Sequence, residues 1–308
     1  MKITRWTVAG LLILSLALPA WADIGSQLGW YEGPLTMKFT NWDVGTIYTV
    51  ADGTYGGSVA AMDAISGQTP PPNRIGSEDS WGIAQLTSIR GLVGGNPNTQ
   101  LWNNSAGTPQ VTAIFWGEKD TYLKQTNGGS VQDIHGVGYH IAFFENPANT
   151  NPNNVNPIGT TTAGRTGADV FTGLAQAGYT CLWTLNSVPG FDSNFPNDEF
   201  FGTYNPSAGF SNANATGGMF ANTGTIFDPN LPGGQVTGVL NGMFLPDPAL
   251  GGANWRVAFT GISLVGGGSG FDVLSDDPIM AEAVPAPAAV VLGLMGLGLV
   301  GWYRKRAA

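Results

Sequence analysis

The sequence predicts an all-β protein, an antiparallel β-sandwich or jelly-roll-like domain. Short apolar runs bounded by Gly, Asn, Asp and Pro recur along the chain, which contains 46 Gly and 20 Pro in 308 residues. Several runs alternate apolar with polar or small residues, as in Trp81–Ile89, which is typical of a strand with one buried face. Helical periodicity is rare. Many short strands separated by turn signals favour two packed antiparallel sheets.

Nine segments are predicted strands. Val111–Trp116 and Tyr139–Phe144 are apolar on both faces, which indicates central strands. The full set is Leu35–Phe39, Thr46–Val50, Trp81–Ile89, Val111–Trp116, Tyr139–Phe144, Tyr179–Leu185, Met243–Leu245, Trp255–Val265 and Phe271–Leu274.

The remaining segments are predicted as one short helix, two long loops and a tether. Ala168–Ala177 is the helix candidate, since Asp169 can cap it and Gly178 can end it. Asn146–Gly164 and Ser187–Thr225 are predicted loops, and the aromatic rings of the second are expected to cap the core. Ser275–Ala283 is expected to be a tether after the last strand.

Charge and cysteine content exclude several classes of protein. Charged residues make up 11% of the chain, against ~25% in ordinary soluble domains. Between Asp23 and Glu282 there are 7 basic and 21 acidic residues, a net charge of −14. Such a surface repels phosphate backbones and argues against nucleic-acid binding. Cys181 is the single cysteine, so an intramolecular disulfide and a Cys-based zinc cluster are excluded, and we expect it to be a small buried hydrophobe.

The N-terminus, residues 1–22, has the organisation of a secretory signal peptide. A positive n-region precedes the apolar run Val8–Leu18, which is too short to cross a ~30 Å hydrocarbon core comfortably. Ala20 and Ala22 provide small residues at the cleavage site, which makes Asp23 the first mature residue. The predicted partner at this end is the secretion translocon.

The C-terminus contains a second apolar segment. Ala286–Tyr303 carries no charge and would form a helix of roughly 27 Å. A basic cluster follows at once, and the positive-inside rule places it in the cytoplasm. Its members are Arg304, Lys305 and Arg306. The segment is predicted to be a transmembrane helix, so residues 23–283 form the exported domain between two removable ends.

Residues 284–308 resemble the PEP-CTERM sorting signal of Gram-negative bacteria. The resemblance rests on a short motif, the apolar span and the terminal basic cluster, in that order. The motif residues are Val284, Pro285, Ala286 and Pro287, with Ala286 where the family usually has Glu. The resemblance implies processing near the motif by an exosortase-type membrane protease. It also implies inner-membrane anchoring first, then release to the cell surface or to a matrix that often contains exopolysaccharide.

Candidate chemistry in the exported domain is sparse. His135 and His140 are the only histidines, and on a regular strand their side chains point to opposite faces, which disfavours a shared metal. Pairs of carboxylates could bind Ca²⁺ through hard oxygen ligands, although solvated turn carboxylates are the preferred interpretation. These pairs are Glu78/Asp79, Glu118/Asp120, Asp198/Glu199 and Asp276/Asp277. We therefore predict no catalytic residues, no cofactor and no enzymatic activity, with calcium as the one candidate ion.

The sequence thus predicts an exported structural or adhesive protein of the envelope or biofilm matrix. The alternative is a carbohydrate-binding module that presents Trp42, Trp102 and Trp116 to sugar rings. A glycan-acting enzyme is the third hypothesis.

Overall fold

The computed structural model describes the middle of the chain in several ranges. These are residues 34–93, 96–105, 109–129, 131–146, 161–172, 179–205, 214–227, 235–241, 244, 246–260, 262–264 and 273–283. The predicted signal peptide, the sorting motif and the apolar C-terminal segment lie outside them. Within these ranges, none of the helices has the length and apolar character needed to cross a bilayer.

The described residues form nineteen strands, one α-helix and two short 3₁₀ turns. The first strands are β1 (Leu35–Gly45), β2 (Ile47–Tyr48), β3 (Gly53–Gly56), β4 (Gln68–Thr69), β5 (Ser80–Val93), β6 (Asn96–Asn103), β7 (Gln110–Thr126), β8 (Val131–Val137), β9 (His140–Asn146), β10 (Arg165–Gly167) and β11 (Val170–Phe171). They are followed by β12 (Thr180–Val188), β13 (Phe200–Asn205), β14 (Asn214–Thr223), β15 (Ile226–Phe227), β16 (Gln235–Val236), β17 (Trp255–Thr260), β18 (Ile262–Leu264) and β19 (Val273–Ala283). Helix α1 is Val59–Asp63, and the 3₁₀ turns are Thr162–Gly164 and Pro248–Leu250.

Eight antiparallel strands close on themselves in a hydrogen-bonded ring. The order around it is β1, β5, β7, β9, β12, β14, β17 and β19, and β19 pairs again with β1. β19 lies directly between β1 and β17, since its last residue, Ala283, is opposite both Leu35 of β1 and Trp255 of β17. Closing the sheet leaves no edge of a ring strand unpaired over these segments.

Most buried apolar residues lie inside the ring or on the outer face of one wall, and Tyr48, Met62 and Leu123 form a third, smaller cluster. The inner core takes side chains from all around the ring, including Phe39, Leu86, Phe143 and Trp255. The outer core lies on β1, β5, β7 and β9, and the β10–β11 hairpin covers it with Ala168 and Phe171. Alternate residues of one strand therefore serve different cores: Trp81 and Ile83 lie in the outer core, and Ala84 and Leu86 in the inner one.

The all-β antiparallel prediction is confirmed, and eight of the nine predicted strands overlap a strand of the structure. The ninth, Met243–Leu245, includes only one described residue, Phe244. The sandwich or jelly-roll subtype stays a prediction. The aromatic rings after β12 pack inward as expected: Phe195 stacks on His135 with 3.8 Å between centroids, and Phe200 contacts Tyr139.

Three local predictions are wrong. The described half of Ala168–Ala177 is a turn and a strand, because Phe171 packs on Trp81 across the outer core. The predicted loop Ser187–Thr225 contains β13 and β14. These two strands pair with each other in the sheet, with Gly202 opposite Gly217. Ser275–Ala283 belongs to β19 and is no tether, since both of its edges are paired.

One element that sequence patterns missed is helix α1. Ser58 caps its N-terminus, where the side chain accepts a hydrogen bond from the Ala61 N–H at 3.2 Å. Met62 is the buried residue of the helix. The helix has five residues, too few for a helical period to stand out.

Because β19 closes the ring, its loss should unfold more than one strand. A chain ending at Ala283 is expected to keep the cooperative thermal transition and β-type circular dichroism spectrum of the parent. A chain ending at Phe271 leaves β1 and β17 with unpaired edges, and should lose that transition. A cooperative transition in the shorter chain at an unchanged temperature would contradict the closure.

A buried carboxylate cluster as the candidate functional site

A bulge at Gly117 brings two acidic side chains into the protein interior. Ser80 of β5 pairs with Glu118 of β7, while Gly82 pairs with Phe115. Between these two pairs, β7 therefore has one residue more than β5. Gly117 has a φ of 85°, a conformation that favours glycine. The extra residue reverses the alternation, so Glu118 and Phe115 face the same side. Glu118 is 1% exposed and Asp120 is 4% exposed.

Asp79, the residue before β5, joins these residues and links β7 to Thr46, which lies between β1 and β2. Its Oδ1 accepts a hydrogen bond from Thr46 Oγ1 at 2.8 Å, and its Oδ2 accepts one from the Asp120 N–H at 3.0 Å. Its backbone N–H donates to the Glu118 carbonyl, and its own carbonyl accepts from the Thr46 N–H. We call Asp79, Glu118 and Asp120 the carboxylate cluster.

Glu118 and Asp120 form the centre of the cluster. Tyr48 donates its hydroxyl hydrogen to Asp120 Oδ2 at 2.5 Å, and Ser80 donates to Glu118 Oε2 at 3.0 Å. Glu118 Oε1 has no hydrogen-bond partner, and the Glu118 and Asp120 carboxyl groups interact electrostatically with each other. A side chain at position 136 would displace the Glu118 carboxyl group, because a Cβ there would lie 1.8 Å from Glu118 Oε1.

Burial changes the protonation of the cluster. Desolvation, followed by repulsion from the other two carboxylates, raises the pKa of Glu118 well above its ordinary value. Desolvation and the Asp79 charge raise the pKa of Asp120 to about 7, although the hydrogen bond from Tyr48 opposes the shift. Desolvation also raises the pKa of Asp79. The cluster therefore keeps protons that exposed carboxyl groups would release.

Hydrogen bonds also connect the carboxylate cluster to the inner core. Ser80 Oγ lies 2.6 Å from Tyr139 Oη. Tyr139 packs on Phe115 with 6.0 Å between ring centroids. Glu118, Ser80 and Tyr139 thus form a hydrogen-bonded path from the cluster to the inside of the ring.

Glu78 points to the other face and forms a buried ion pair. Arg165 binds both oxygens of the Glu78 carboxylate. Its Nη2 lies 3.3 Å from Oε2, and its Nη1 makes a closer contact with Oε1. The N–H groups of Ile75 and Gly117 donate to the same carboxylate. The guanidinium also lies 4.6 Å from the Trp81 ring centroid. Arg165 therefore attaches the β10–β11 hairpin to the outer core.

The two histidines lie apart and have separate partners. His135 Nδ1 is 3.5 Å from Asp198 Oδ2, and its ring packs among Tyr122, Phe195 and Phe201. Burial lowers the pKa of His135, although Asp198 opposes the shift. His140 Nδ1 lies 2.8 Å from Asn186 Oδ1. His135 is a buried residue, and His140 packs beside Trp116 with 5.7 Å between ring centroids.

The carboxylates differ from the preferred expectation. Glu78, Asp79, Glu118 and Asp120 are all at least 95% buried, so their interpretation as solvated turn residues is wrong. Sequence spacing carries no signal that Asp79 of the first pair meets Glu118 and Asp120 of the second. Within the described ranges, no group of three or more His, Cys, Asp or Glu residues has the arrangement of a metal site. Asp276 and Asp277 lie on β19, where their side chains are outside the description.

The tryptophans and the cysteine are also interior residues. Trp42, Trp102 and Trp116 are 5%, 2% and 1% exposed, so they cannot form the sugar-stacking platform that the alternative hypothesis assigned to them. Cys181 is half-buried against the outer core, and burial raises the pKa of its thiol to about 12. A thiol with so high a pKa is a poor nucleophile at neutral pH.

The described domain is thus that of an all-β protein with a closed sheet and an acidic interior. Its C-terminus identifies how the chain is sorted: residues 283–307 match the family model of the PEP-CTERM protein-sorting motif. The match includes Val284–Pro287 and the basic cluster at residues 304–306, which confirms the resemblance seen in the sequence. The chain therefore carries the signal of an exosortase substrate, which implies export and membrane anchoring before processing.

Neither the curated proteins nor the solved structures include a match to this chain.

The carboxylate cluster should make stability fall as pH rises towards neutrality. The folded-state pKa of Asp120, about 7, lies above its unfolded value near ~3.9. The folded state therefore binds the extra proton between these values, and its stability is complete below pH ~4 and declines as pH rises through about 7. One excess proton gives a slope of about 1.4 kcal/mol per pH unit. Urea denaturation between pH 4 and 8 measures it.

The matched variants for this test are Asp120→Asn and Asp52→Asn. An Asn at position 120 keeps an acceptor for Tyr48 but cannot titrate, so the slope should flatten. Asp52 is exposed and lies outside the cluster, so its variant should keep the parent slope. Equal slopes in the parent and Asp120→Asn would show that Asp120 does not bind the extra proton.

Breaking the Glu78–Arg165 pair should destabilise the domain strongly. Arg165→Met leaves Glu78 buried without its cation, which typically costs about 3–5 kcal/mol of unfolding free energy. Arg165→Lys should recover only part, because an ammonium cannot make the two-pronged contact. The double variant Glu78→Gln/Arg165→Met should be more stable than Arg165→Met alone, as measured by denaturant unfolding. Additive losses in the double variant would contradict the pairing.

Proposed function

We propose that this protein is a structural or adhesive component of the cell surface or biofilm matrix, delivered there by an exosortase-type system. The observation that carries the proposal is the PEP-CTERM sorting motif at residues 283–307. Such a signal directs the domain out of the cell and commits it to processing at the membrane. The domain then acts at the surface, where it can contact exopolysaccharide or neighbouring cells.

The folded domain has features that suit a load-bearing surface protein. Its sheet closes through paired strands, so a pulling force is shared among many backbone hydrogen bonds. Buried polar contacts hold further segments to the sheet: Asp79 links β7 to the segment after β1, and Arg165 attaches the β10–β11 hairpin. We assign these buried acids a structural role and propose no enzymatic activity.

The carbohydrate-binding alternative has lost its specific support, because the three tryptophans on which it depended are buried. Among the described residues, the exposed large apolar side chains are Ile47 and Val239, and neither is aromatic. Binding of the purified protein on a glycan array would restore the alternative. Cells that lose attachment when the gene is deleted, without any glycan binding by the protein, would support the adhesive proposal.

The basic cluster provides the sharpest test of sorting. Replacing Arg304, Lys305 and Arg306 with Ser removes the charges that retain the tail in the cytoplasm. We expect processing to be incomplete and the uncut chain to accumulate in the membrane fraction, as seen by immunoblotting of fractionated cells. Lys124→Ser, at an exposed site on β7, is the control and should be sorted normally. Normal processing of the triple variant would exclude a role for the cluster.

A further inference from the structure

The inside of the ring contains a cavity of about 110 Å³ that is partly open to solvent. It lies between walls from β1, β5, β7, β9, β14 and β17. Its apolar lining comes mainly from aromatic rings and small aliphatic groups. They include Phe39, Phe115, Ile141, Phe143, Met219 and Val257.

Three polar side chains line the same cavity: Asn41, Asp43 and Tyr139. Asn41 is 2% exposed, and its Nδ2 donates to Asp43 Oδ2 at 3.3 Å. Its Oδ1 is buried and accepts no hydrogen bond. A buried amide oxygen without a donor costs free energy, and a ligand that brings a donor would remove that cost.

Tyr139 also offers an acceptor. Ser80 uses its hydroxyl hydrogen on Glu118 at 3.0 Å, so in the 2.6 Å contact with Tyr139 the tyrosine is the donor. With that hydrogen engaged, Tyr139 Oη has only lone pairs for a further partner. Asn41, Asp43 and Tyr139 therefore present acceptors, and Asp43 adds a carboxylate.

We propose that the cavity binds a compact organic ammonium, a single aromatic or branched aliphatic body with one protonated amine. The amine donates to the acceptors of Asn41, Asp43 and Tyr139. The body packs against Phe39, Phe115 and Phe143, whose ring faces also attract a cation. The inference goes beyond the surface role proposed above and does not depend on it.

The size of the cavity limits the ligand. An engineered apolar cavity of ~150 Å³ takes up benzene, so a space of about 110 Å³ suits one ring or a branched chain of similar bulk. Because the cavity is partly open, a short substituent can extend beyond it. Longer chains and fused ring systems would exceed the walls.

Three probes of nearly equal shape separate the contributions: toluene, benzyl alcohol and benzylamine. Their binding to the full-length protein in lipid nanodiscs is measured at pH 7 by calorimetry, with empty nanodiscs as the blank. Benzylamine should bind about tenfold tighter than benzyl alcohol, as expected for a hydrogen bond to a charged group. Toluene should bind most weakly. Equal affinities for all three, or no binding by benzylamine, would overturn the proposal.

Two variants locate the site. Asp43→Asn keeps the shape and removes the charge, so benzylamine should lose about tenfold in affinity while benzyl alcohol is unchanged. Asp63→Asn, on the exposed face of helix α1, should change neither. Circular dichroism establishes that each variant is folded.

If Asp43→Asn does not fold, Asn41→Ala replaces it and should weaken both benzylamine and benzyl alcohol. Its control is Asn104→Ala, since Asn104 also has a buried unpaired Oδ1 but does not line the cavity. Parent-like affinities in Asn41→Ala, or equal losses in the two asparagine variants, would overturn the site.

Discussion

The closure of the sheet is the constraint on which the rest of the structure depends. Each ring strand must find backbone partners on both edges, and β19 completes the set between β1 and β17. Closure creates an inside, and alternation then assigns one set of side chains to it and the other to the outer face. The two apolar cores and the cavity follow from this division. An open sheet of the same strands would enclose none of them.

Within that frame, one glycine decides the chemistry of the interior. The positive φ of Gly117 inserts a bulge into β7 and turns Glu118 towards the inside. Burial then raises the pKa of the acids, and Tyr48, Ser80 and Thr46 each donate a hydrogen bond to one oxygen of a different acid. The cost of burying acids is offset by protonation and by these donors. The result is a polar junction between strands and a hydrogen-bonded path to the cavity.

The sorting signal and the folded domain meet at one residue. Ala283 ends β19 and is also the first residue of the sorting match. The last strand of the ring therefore leads into the motif with no intervening linker. The sorting motif implies processing by an exosortase-type system, whereas the cavity lies inside the folded domain.

The sequence by itself determined the all-β class, the positions of most strands and the sorting signal, because these depend on local alternation and on a short contiguous motif. Tertiary structure alone decided that Trp42, Trp102 and Trp116 are core residues and that Asp79, Glu118 and Asp120 converge. It also decided that residues 165–171 form a hairpin and that β14 joins the sheet despite its Gly-rich sequence. A strand pattern repeats every two residues but does not say which face is inside. A single bulge, or a partner strand distant in sequence, changes that assignment without any local signal.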